Sequence, residues 1–183
     1  MKKRSIVLAL LLASSLGAPA LASSLPVAEA DRTSISIGFG PSVAFDANIA
    51  PHMLLGGSIG LPFLVSGTES GRYDVRVTYE FLQQGAFSLA GIFGVWGSVN
   101  FVTPSFSRWV GLELGVGLAY RFTPQLTGRL NIVPGFGFPF GAGFRDFYPP
   151  AGGFELAYRF TPGFEGSLGY NGQGDILGLR FLL

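Results

Sequence analysis

Between Trp109 and Phe122 the chain alternates with a period of two. Val110, Leu112, Leu114, Val116, Leu118, Tyr120 and Phe122 are bulky and apolar, whereas Trp109, Gly111, Glu113, Gly115, Gly117, Ala119 and Arg121 are mostly small or charged. Period two is the mark of an extended strand, whose side chains point alternately to opposite faces. The bulky set reads as a band facing lipid, and the other set is what a narrow, crowded interior holds. The same alternation recurs in nine segments, near 33–45, 53–64, 72–82, 86–99, 109–122, 126–138, 153–160, 164–170 and 176–183.

Charge follows the same parity. Arg72, Asp74, Arg76, Glu80, Glu113, Arg121, Arg129, Glu155, Arg159, Glu165 and Arg180 all fall opposite the bulky positions and are expected to form an ion-pair network that fills a lumen. An Arg turned toward lipid at mid-membrane costs about 2–4 kcal/mol. One slipped register would therefore remove a large share of the stability of a domain this size.

Turn chemistry separates the segments into short and long connections. Leu82–Gly85, Thr123–Gln125 and Thr161–Gly163 are short, and the stretches near 65–71, 100–108 and 139–152 are longer. Short turns at one end and long loops at the other suit a barrel that crosses a membrane. Single-chain bacterial barrels use an even number of strands. Nine segments therefore imply either one that is not a wall strand or a hidden tenth, with Pro41 marking a break in the first. Chain length favours eight strands, within a range of eight to ten.

An internal repeat supports this reading. Ala119-Tyr120-Arg121-Phe122-Thr123-Pro124 recurs as Ala157-Tyr158-Arg159-Phe160-Thr161-Pro162, with a looser copy at Thr78-Tyr79-Glu80-Phe81. Each copy sets two aromatics on the bulky face just before a short turn. Tyr79, Phe81, Tyr120, Phe122, Tyr158 and Phe160 are thus expected in an aromatic girdle at a membrane interface. The longest and most aromatic loop, 139–152, offers Phe144, Arg145, Phe147 and Tyr148 as a surface for an extracellular ligand.

The N-terminus adds an address. Lys2, Lys3 and Arg4 precede an apolar run from Ile6 to Ala13, and Ala20-Leu21-Ala22 is a small-x-small cleavage site. Residues 1–22 read as a cleaved secretory signal peptide, 23–32 as a short N-terminal segment and 33–183 as the barrel. Ala28-Glu29-Ala30 offers a second possible cut before Asp31. No Cys follows either site, which excludes a bacterial lipoprotein, and the absence of Cys rules out a disulfide scaffold. Mean hydropathy is positive, yet no stretch after the leader approaches the length of a membrane helix. The 28 Gly and 18 Phe push the same way. A formal charge of +1 without a basic patch gives no reason to expect nucleic acid.

Candidate chemistry is sparse. His52 is the single histidine, at the start of the second segment. As a base it would need a Ser and an acid at the same barrel end, and Ser58 lies three pleats away. Carboxylates are few and spread over different strands, so no metal or other cofactor is expected. Gly111, Gly115 and Gly117 follow period two with no βαβ unit around them, so they read as room for lumen side chains and not as a phosphate loop.

On these features the chain resembles the small bacterial outer-membrane β-barrels of the OmpA-transmembrane-domain and OmpX-like group. Leu177, Leu179, Phe181 and Leu183 are similar to the C-terminal signal read by the barrel-assembly machinery, although that signal usually ends in Phe. The resemblance implies an all-β, antiparallel, up-and-down barrel among outer-membrane lipid, without enzymatic activity, acting structurally or through its outer loops. No domain follows the barrel, so a peptidoglycan tether is not expected. Three alternatives stay open: a narrow pore for small solutes, a lipid-modifying enzyme of the outer membrane, and a soluble exported barrel binding an apolar ligand.

Overall fold

The alternating segments become strands, with 33–45 and 126–138 each divided in two, in the computed structural model, which describes residues 25–39, 41–60, 70–100, 105–106, 109–139, 145–147, 150–172 and 176–183. In chain order the strands are β1 (Ser34–Gly38), β2 (Ser42–Ala50), β3 (Met53–Gly60), β4 (Ser70–Gln84), β5 (Phe87–Asn100), β6 (Ser105–Phe106), β7 (Trp109–Arg121), β8 (Leu126–Ile132), β9 (Gly135–Pro139), β10 (Arg145–Phe147), β11 (Gly153–Thr161), β12 (Phe164–Asn171) and β13 (Leu177–Leu182). All pairings are antiparallel, and there is no helix among the described residues.

The sheet closes on itself. β13 pairs with β1 from Ser34↔Leu182 to Gly38↔Gly178, and β7 pairs with β5 from Phe87↔Tyr120 to Trp96↔Gly111. β6 prolongs β7 along β5, and β9 prolongs β8 along β7. Ten strands therefore form the wall, and β10 pairs only with β9 outside the ring. The expectation of eight is corrected to ten. The additional strand comes from the first segment, which is two strands joined through 39–41. Pro41 has no N–H to give to a ladder and instead sits in the turn. The 82–85 connection also differs: β4 runs on to Gln84, and the turn is Gly85-Ala86, with Gly85 at φ 60°.

The two faces have opposite character. Val75, Phe93, Leu114 and Ile132 are more than half exposed on the outer face, whereas Arg76, Asp74, Glu113 and Glu155 are almost wholly buried on the inner one.

The short turns share one rim with Arg32 and Leu183. Turn carbonyls there accept N–H bonds from neighbouring strands: Glu80 to His52 (2.8 Å), Arg121 to Ala86 (2.8 Å), Arg159 to Gln125 (2.8 Å) and Leu182 to Gly163 (2.9 Å). Three register shifts also lie near this rim, between Asn48 and Ala50, Glu80 and Leu82, and Arg159 and Thr161. The inserted residues are Ile49, Phe81 and Phe160, all exposed on the outer surface. The two repeat copies build the same device. Phe122 lies over Gly128 and Phe160 over Gly166, each six residues on, so the ring covers backbone that a bare glycine leaves open.

Candidate functional site

The lumen is the site that the fold builds, and its content comes partly from outside the strands. Residues 25–30 are all buried. Their partners are inward-facing wall residues: Val27 and Ala30 pack with Leu54, and Ala28 packs with Ala90 and Ala119. The N-terminal segment thus enters the barrel at the short-turn rim and runs up the bore. From the other side Ala151 meets Ile92 and Val133 and accepts a hydrogen bond from Asn131 Nδ2 (3.2 Å). Asn131 Nδ2 also donates to the Pro26 carbonyl at 2.8 Å, so one amide joins both fillings.

Charges collect in two groups. On the β8, β11, β12 and β13 wall, Arg129 pairs with Glu29 (3.0 Å), Glu155 (2.8 Å) and Glu165 (2.8 Å). Arg180 pairs with Glu155 (3.1 Å) and Glu165 (3.0 Å), and Arg159 reaches Glu165 at 3.5 Å. Three arginines meet three glutamates here, and one of these, Glu29, comes from outside the wall. On the β2–β4 wall, Arg76 pairs with Asp46 at 3.0 Å and with Asp74, which also accepts from Ser58. Glu113 completes this group and lies 3.5 Å from the Ala151 N–H. Here Arg76 faces three acids, and Arg180 from the other group also acts on Asp46. Gly56 lets the wall pass close to Asp46, since a Cβ there would overlap its carboxylate, and a Cβ at Gly111 would overlap Trp96.

Of the eleven charged residues expected in the lumen, Arg76 and Asp74 meet in one group, and Arg129, Glu155, Arg159, Glu165 and Arg180 in the other. Glu113 lies with the first. Arg72 donates to the Gly172 carbonyl. Glu80 is buried at the short-turn rim and takes His52 as partner. Arg121 departs from expectation: it is exposed at that rim, one residue from the turn, where the wall no longer encloses it. Two acids were not anticipated. Asp46 lies one residue past the predicted end of the first segment, although its parity already continued Ser42 and Ala44. Glu29 belonged to no predicted strand, and no pattern in the sequence marks it.

Tyr79, Phe81, Tyr120, Phe122, Tyr158 and Phe160 are all exposed on the outer face next to the short turns. Tyr120 and Phe122 meet edge to face at 5.1 Å, as do Tyr158 and Phe160. Of the loop residues, Phe144 and Tyr148 lie outside the described residues, and Arg145 and Phe147 stand in β10.

His52 occupies a turn at φ 62°, its Nδ1 3.3 Å from Glu80 Oε2. A pocket of about 240 Å³ opens there, lined by Ala30, Asp31, Asn48, Pro51, His52, Glu80 and Gln83. That lining carries no hydroxyl or thiol for the pair to activate, and Ser58 is engaged by Asp74 instead. No known protein-family model matches this chain, and no curated protein matches it.

Proposed function

We propose that this chain is an integral outer-membrane β-barrel of the bacterial envelope. In this reading residues 1–22 export it and are removed, the barrel-assembly machinery inserts it, and its bulky outer face meets lipid. It acts structurally or through the loops at the rim opposite the short turns, and its filled lumen carries no catalytic or cofactor role. The observation that carries the reading is the inversion of polarity. A continuous belt of Val, Leu, Ile and Phe faces outward on a closed wall while buried ionised groups pair within. The ten-stranded closed wall supports the barrel class alone, and no family match ties the chain to the OmpA/OmpX-like group.

Folded membrane barrels resist detergent until heated. Protein from outer-membrane fractions should therefore migrate differently in gels before and after boiling, and it should resist extraction by salt. Equal mobility together with release by salt would overturn the proposal. Planar bilayers should show no steady conductance, because the bore is occupied from both ends; a stable open level would favour the pore reading instead.

The filling supports the first of the two cleavage sites over the second. A cut before Asp31 would strip Glu29 from Arg129 and empty the bore of residues 25–30. The mature protein should therefore begin at Ser23, read by intact mass.

A further inference from the structure

The bore treats residues 25–30 as a bound peptide. Wall side chains donate to three of its carbonyls: Arg180 Nη2 to Leu25, Asn131 Nδ2 to Pro26 (2.8 Å) and Asn48 Nδ2 to Ala30 (2.7 Å). Its one charged side chain, Glu29, meets Arg129 two-pronged, Nε to Oε2 at 3.0 Å and Nη2 to Oε1 at 3.3 Å. Fork-on-fork pairing of this kind selects a planar carboxylate. The remaining side chains of the segment are apolar, and Ala28 is seated where the wall offers only Ala90 and Ala119. The segment leaves the bore through Asp31 and Arg32, which are both exposed.

We infer that the short-turn half of the lumen is a carboxylate-recognising peptide site, held in cis by residues 25–30. Removing the segment takes from the buried Arg129 one of its three carboxylate partners, the one it grips two-pronged. The vacated site would take an extended acidic segment with small apolar neighbours. The inference concerns the inside of the barrel and does not depend on what surrounds the outside.

The chain has no Cys, so a single introduced thiol reports on the segment. Val27→Cys, in the full chain folded in detergent, should react with a thiol reagent at least 100-fold more slowly than the same protein unfolded. Adding Glu29→Arg, which sets a cation against Arg129, should speed labelling at least tenfold while strand content and heat-dependent gel mobility stay unchanged. Equal rates in the two folded proteins, or fast labelling of Val27→Cys alone, would overturn the inference. Should the Glu29→Arg chain fail to fold, trypsin decides. Nicking the wild-type chain after Arg32 should leave the N-terminal fragment bound through gel filtration. Added synthetic Leu-Pro-Val-Ala-Glu-Ala should displace it at least tenfold more effectively than the same peptide with Gln for Glu. Spontaneous loss of the fragment, or equal displacement by the two peptides, would also overturn the inference. A barrel that passes these tests but does not partition to membranes would sink the proposed location and leave the site standing.

Discussion

The two charged groups of the lumen solve one problem differently. The Arg76 group is built entirely by wall strands, from Asp46 on β2, Asp74 and Arg76 on β4 and Glu113 on β7, and it keeps an excess of acid. The Arg129 group joins Arg129 on β8, Arg159 and Glu155 on β11, Glu165 on β12 and Arg180 on β13, and it recruits Glu29 from outside the wall. Among the described residues Arg76 makes both ion pairs of the first group, with Asp46 and Asp74, whereas the second shares its charges among several partners. A lone buried charge is costly because nothing compensates it, whereas a network spreads the loss of any one member.

The largest effect should therefore come from Arg76→Met. It removes the guanidinium that pairs with both Asp46 and Asp74 and should cost about 3–5 kcal/mol, read as a lower urea midpoint for the barrel folded in detergent. Adding Asp74→Asn should recover part of that loss, since it removes one of the stranded charges. An unchanged midpoint for Arg76→Met would mean that the acids share protons without needing the guanidinium.

Glu29→Gln tests the other group and should cost less, about 1–3 kcal/mol, because Arg129 keeps Glu155 and Glu165. A loss equal to that of Arg76→Met would break the contrast and make the N-terminal segment as essential as the wall. The same unfolding assay ranks the two directly.

What the sequence could and could not disclose follows from these groups. The wall is legible because parity is local: each strand shows in its own residues which positions face outward and which face the bore. Glu155 and Arg129, opposite one another in the β8–β11 register, follow from that pattern alone. Strand number was harder, because Pro41 within an otherwise alternating run reads equally as an interruption or a turn. The N-terminal filling was beyond reach. Leu25-Pro26-Val27-Ala28-Glu29-Ala30 has no period, and its burial arises only once a closed bore exists to receive it. Arg121 failed for a related reason, since parity fixes the face of a residue but not whether the wall extends far enough to enclose it.

The repeat copies allow a finer test. Phe122 has its edge-to-face contact with Tyr120, whereas Phe160 also stacks on Phe164 at 5.6 Å, which in turn meets Phe181 at 5.3 Å. Aromatic pairs add about 0.5–1.5 kcal/mol each beyond burial. Phe160→Ala should therefore destabilise by about 1 kcal/mol more than Phe122→Ala. Equal losses would show that the covered glycines, Gly128 and Gly166, and not the neighbouring rings, set the value of each Phe.

The smallest expected effect separates Arg121 from Arg159, the same position in the two repeats. Arg121 is exposed at the short-turn rim, so Arg121→Ala should stay within about 0.5 kcal/mol of wild type. Arg159 keeps only part of its side chain in solvent and reaches Glu165 at 3.5 Å, beside the closer contacts that Arg129 and Arg180 make to the same carboxylate. Because Glu165 has those two other partners, Arg159→Ala should cost only about 0.5–1 kcal/mol. High salt should shrink that difference, since the outermost pair of the network is the one that mobile ions can reach. If Arg121→Ala proved the more damaging of the two, the rim arginine would have a partner in the folded barrel, and the boundary between lumen and rim would lie one residue nearer the turn.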